Sequence, residues 1–83
     1  MRLLYFASIR EKIGISEEEH DLPSGVSNVS GLIDWLKSQG EEYAEALADQ
    51  MVVKVAVNQE YVSVEHPISS NDEIAFFPPV TGG

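Results

Sequence analysis

One long helical stripe stands among runs that read as strands, and this limits the fold more than any other feature of the chain. Val29, Leu32, Ile33 and Leu36 fall at i, i+3, i+4 and i+7, so they share one side of a helix. Ser27 or Asn28 can cap its start, and Gly40 can end it. Around it lie apolar, β-branched or aromatic segments: Leu3–Ala7, Val52–Val57, the short Tyr61-Val62 and Ile74–Phe77. A single apolar stripe covers one face of one sheet. The expected architecture is therefore α+β, one mixed sheet curled around a main helix.

The remaining segments fill in this plan. Arg10-Glu11-Lys12-Ile13-Gly14 is polar and ends in a turn or helix cap. Ser16–Leu22 is rich in Glu and reads as an edge strand whose charge opposes aggregation, with Glu17, Glu19 and Asp21 on one solvated face. Pro23-Ser24-Gly25 is a loop. Glu41–Leu47 is a second short helix, with Tyr43 and Leu47 one turn apart. Asn58-Gln59 makes a tight turn, and His66-Pro67 and Ser69–Asp72 are loop signals. Alternation along Ile74–Phe77 puts Ile74 and Phe76 in the core and Phe77 outside, and Trp35 packs at the edge of the main helix. The expected order is β, β, α, short α, β, short β, β.

Composition removes several classes of function. Eighty-three residues make one small domain. With no cysteine there is no disulfide, thiol nucleophile or Cys-based zinc site. His20 and His66 are lone and far apart, so no metal site is expected. A net charge of −9 argues against nucleic acid, which needs clustered Lys and Arg. No run approaches a membrane span, and Met1–Phe6 is too short for a signal peptide, so a cytoplasmic location is expected.

The chain ends Pro78-Pro79-Val80-Thr81-Gly82-Gly83. Neither proline has an N–H for a sheet, so pairing stops at Phe77. Glycine lacks a Cβ and is entropically costly to order, so two of them at an end do nothing for stability. They do make a thin strand that enters a narrow channel. Residues 1–77 are thus read as the domain and residues 78–83 as an extended, flexible tail. Six extended residues reach about 20 Å, and the Gly83 carboxylate is ionised near neutrality.

Phe6-Ala7 with Arg10-Glu11 and Gly14, Ala56-Val57-Asn58-Gln59, His66-Pro67 and the run Asp72–Gly83 stand in matching order along the chain. On these residues the sequence resembles the ubiquitin-like β-grasp proteins and, within them, the small sulfur-carrier subunits of molybdopterin synthase. Tyr61 stands where that family more often has an aliphatic residue.

The resemblance implies that an ATP-dependent adenylating enzyme, similar to those that activate ubiquitin, acts on Gly83. Sulfur then replaces AMP to give a thiocarboxylate. The tail, with Gly82 in the narrowest part, enters the large catalytic subunit of the synthase and gives sulfur to cyclic pyranopterin monophosphate. It further implies a carrier that is not an enzyme alone, has no stably bound cofactor and works in a heterotetramer. By the same resemblance Phe6, Tyr61 and Phe77 meet the partner, Arg10 makes a polar contact, and Pro78, Pro79, Val80 and Thr81 form the inserted stem. The alternatives on these residues are a sulfur carrier for thiazole or tRNA thiolation, a ubiquitin-like modifier joined to lysines, and a plain binding module.

Overall fold

The computed structural model describes residues 1–48 and 53–79. In chain order they form β1 (Arg2–Tyr5), α1 (Ala7–Ile13), β2 (Glu17–Glu19), α2 (Val29–Lys37), α3 (Glu41–Ala46), β3 (Lys54–Val57), β4 (Glu60–Val62) and β5 (Glu73–Phe77). The strands make one mixed sheet in the order β2-β1-β5-β3-β4. β5 lies at its centre, parallel to β1 and antiparallel to β3. β2 is an edge strand, as its charge requires.

The main helix follows its stripe. Val29, Leu32, Ile33 and Leu36 are all buried. Asn28 is the cap: its Oδ1 accepts from the Gly31 N–H at 2.8 Å. They meet Leu3, Tyr5, Ile74, Phe76, Val55 and Val57 from the inner sheet face in one core. Each large apolar side chain so buried contributes roughly 1.5–3 kcal/mol. Trp35 packs against this core at its edge, with the His20 ring edge-on at 5.3 Å. The Asn58-Gln59 turn joins β3 to β4 with both residues at positive φ, 51° and 71°, the backbone of a type I′ hairpin.

Two expectations need correction. The first strand does not run to Ala7: it stops at Tyr5, and α1 follows at once. Ile9 and Ile13, one turn apart, bury against the core, and that burial draws the polar stretch into a helix. Gly14 closes it in the left-handed conformation, its N–H bonding to the Arg10 carbonyl at 2.8 Å. Gly40 does not end the main helix. α2 closes at Ser38, and Gly40 starts α3.

Glu17 and Glu19 are exposed on one face, and Glu18 between them lies on the other. Glu18 turns inward and accepts from the Tyr5 and Tyr43 hydroxyls, each at 2.7 Å, with His20 Nε2 also 2.7 Å away. Burial alone pushes the Glu18 carboxyl up. The Tyr43 and Tyr5 hydroxyls and His20 together outweigh it and hold the group below the usual carboxylate range. Burial and the same carboxylate push the Tyr43 hydroxyl up to about 12.

Candidate functional site

The tail's root is set by β5. Tyr5 pairs with Phe76 and Leu4 with Ala75 on one side; Ala56 pairs with Ala75 and Lys54 with Phe77 on the other. Because alternate residues face opposite ways, Ile74 and Phe76 point into the core and Phe77 points out. Phe76 is 0% exposed, and Phe77 is partly exposed. Pairing ends at Phe77, and Pro78-Pro79 leave the sheet from its central strand.

The outward face has three rows, read from the register. Glu19, Arg2 and Glu73 form the row farthest from the tail. Arg2 is neutralised there, its guanidinium 2.6 Å from Glu17 and 3.9 Å from Glu73. The middle row runs Glu17, Leu4, Ala75, Ala56, Tyr61 and is apolar beyond its first residue. The row at the tail's root holds Phe77 and Lys54. Tyr61, 79% exposed, leans on Phe77 with ring centroids 5.4 Å apart.

Phe6 follows Tyr5 and so comes level with Phe77 one strand over. Its N–H donates to the Phe76 carbonyl at 3.1 Å, and its ring is 48% exposed. The adjacent Ala7 has φ 52°, a left-handed conformation costly for a residue with a Cβ. That sharp turn starts α1 and leaves Phe6 outside the core.

Two grooves flank the root. One, of about 580 Å³, wraps the β4 edge between Val53, Lys54, Tyr61, Val62, Val64 and Phe77. The other, of about 300 Å³, lies beside Pro78 and Pro79 on the helical side, with Ile9, Lys12, Glu45 and Ala46. The structure thus brings together Phe6, Tyr61, Phe77, Pro78 and Pro79. Arg10 lies exposed on α1 and makes no ion pair among the described residues. Val80, Thr81, Gly82 and Gly83 lie outside the described residues.

Sequence reasoning missed Lys54 and the small residues Ala56 and Ala75 that keep the middle row flat. Their alternation with core residues was visible, but which strands flank β5 was not. Among the described residues no cluster of His, Cys, Asp or Glu could hold a metal ion, and no helix is long and apolar enough to cross a membrane.

Comparison with known proteins agrees with this geometry. The ThiS family model matches residues 3–83. The molybdopterin synthase sulfur carrier subunit of Escherichia coli is 40% identical over 83 residues, covering 100% of this chain and 99% of that protein. Its counterpart in Dictyostelium discoideum is 42% identical over 84 residues, with 99% and 94% covered.

Among solved structures, a putative molybdopterin converting factor subunit 1 from Pyrococcus furiosus superposes with a TM-score of 0.75 at 33% identity, covering 95% of each chain. The small archaeal modifier protein 1 of Haloferax volcanii gives 0.73 at 26%, with 96% of this chain and 97% of that one covered. The mixed sheet curled over one main helix is the ubiquitin-like β-grasp fold shared with these solved structures. The chain belongs to the ThiS family, among the sulfur carriers of the molybdopterin synthase type.

Proposed function

We propose that residues 1–77 are the handle and residues 78–83 the working stem of a sulfur-carrier subunit of molybdopterin synthase in the cytoplasm. The observation that carries this reading is the ending Phe76-Phe77-Pro78-Pro79-Val80-Thr81-Gly82-Gly83 on a chain that aligns end to end with such carriers.

A Gly83 carboxylate is a poor acyl electrophile. An adenylating enzyme joins its oxygen to the α-phosphorus of ATP, and pyrophosphate leaves. Sulfide (HS−) then attacks the acyl carbon, the C–S bond forms as the C–O bond to AMP breaks, and AMP leaves. The resulting thiocarboxylate is a soft nucleophile on a chain without cysteine. Inserted into the large subunit, it gives its sulfur to cyclic pyranopterin monophosphate, and hydrolysis returns the carboxylate.

The domain contributes position. Pro78 and Pro79 fix φ and bias the stem to an extended form. This lowers the ordering cost of insertion, about 1–2 kcal/mol per backbone residue. Phe6, Tyr61 and Phe77 cover the partner surface around the root.

Intact mass tests the reading. Incubation with the adenylating enzyme, ATP and a sulfur source should add about 16 Da, oxygen replaced by sulfur on an activated acyl group, and the gain should vanish without Gly83. A chain that never gains this mass, or a loaded chain that supports no molybdopterin formation with the large subunit, refutes it. The modifier alternative draws on the fold shared with the Haloferax protein; lysine-linked adducts on other proteins would identify it.

A further inference from the structure

We propose that Lys54 sets the orientation in which this carrier docks, by pairing with a carboxylate at the mouth of the cavity that receives the tail. The proposal rests on the reading above and names the chemistry of the large-subunit surface facing the root.

Charge on the outward face is split along the strand direction. The far row holds Glu19 and Glu73 around Arg2, with Glu17 beside it. Arg2 is already engaged, so that end is acidic. The middle row, Leu4, Ala75, Ala56 and Tyr61, carries no charge beyond Glu17. At the tail end the register places Lys54 beside Phe77, and Lys54 is exposed.

In a chain with fourteen acids and five bases, this cation stands next to the stem's first residues. Among the described residues it makes no ion pair within the chain. Lys54 and Phe77 also line the same groove at the β4 edge, with Tyr61.

An apolar face alone fixes a docking surface but not its rotation. A face acidic at one end and cationic at the other has one electrostatically favoured orientation. The stem must point into the cavity, and the cation stands at the stem's end, so the matching carboxylate belongs at the cavity mouth. The far row then faces basic or neutral partner groups. A second copy of this chain is a poor occupant, because each copy carries −9.

The test uses the full chain and the purified large subunit. Calorimetry at low salt should show binding weakened about tenfold by Lys54→Glu, about two- to fivefold by Lys54→Gln, and hardly at all by Lys54→Arg. Added salt should shrink these differences. Because Lys54 is exposed, the variants should melt with the wild type.

Zero-length carbodiimide coupling joins an amine to a touching carboxylate with loss of water. Peptide mapping should find Lys54 Nζ in an amide with an Asp or Glu of the large subunit. Equal affinity across all Lys54 variants overturns the proposal, and so does a Lys54 coupled only to a second copy. Failure of the wild-type chain to bind the large subunit instead removes the functional reading beneath it.

Discussion

Truncating Tyr61 should separate binding from folding. Its ring is 79% exposed, and Phe77 shields one side at 5.4 Å between centroids. A covered aromatic side chain buries about 150–250 Å², so after the part already against Phe77 roughly 120 Å² remains for a partner. At about 25 cal/mol per Å² that area is worth ~3 kcal/mol. Ordering the side chain offsets ~1 kcal/mol. The remaining ~2 kcal/mol corresponds to a dissociation constant raised about thirtyfold for Tyr61→Ala.

Calorimetry with the large subunit reads the binding loss, and circular dichroism reads the melting point. Phe76→Ala is the contrasting variant. Phe76 is 0% exposed, so its truncation should cost ~3–5 kcal/mol of stability. Tyr61→Ala should leave the melt within a few degrees of wild type. Unchanged binding by Tyr61→Ala, or a melt depressed as far as that of Phe76→Ala, would show that the outward face has been misjudged.

Further outcomes follow from other parts of the molecule. Gly82→Ala should melt like the wild type yet lose most sulfur loading or transfer, read by intact mass and single-turnover product formation. Glu18→Ala leaves the buried Tyr5 hydroxyl without its acceptor and should cost ~2–4 kcal/mol in chemical denaturation; the double change with Tyr5→Phe should cost less than the sum. The Glu18 carboxyl is held below its ordinary value of 4.5, so its contribution is present above that value and fades as pH falls through the lower, folded-state one. The gap between wild type and Glu18→Gln should accordingly narrow on acidification. Gln59→Gly should stabilise by up to ~1 kcal/mol, because Gln59 holds φ 71° in a turn that favours glycine.

The parts legible in the sequence were those set by local period. The stripe Val29, Leu32, Ile33 and Leu36 gave α2, and alternation along β5 separated Phe76 from Phe77. The hairpin at Asn58-Gln59 follows from turn chemistry. The first helix escaped because its N-cap, Phe6, supplies no side-chain bond and continues the apolar run of β1. The local signals for it were the Ile9 and Ile13 spacing and Gly14 as its cap. The role of Glu18 escaped because its hydroxyl partners lie 13 and 25 residues away. Lys54 escaped for a related reason: its place beside Phe77 depends on β3 flanking β5, a neighbour relation that no local pattern encodes.

The central place of β5 has a mechanical consequence. A pull on the stem runs along the axis of a strand gripped by ladders on both flanks, one parallel and one antiparallel. The load falls on both ladders in shear at once, with no edge from which bonds could peel one by one. A force applied at Pro78 is therefore resisted by both ladders together, and the body stays folded under it.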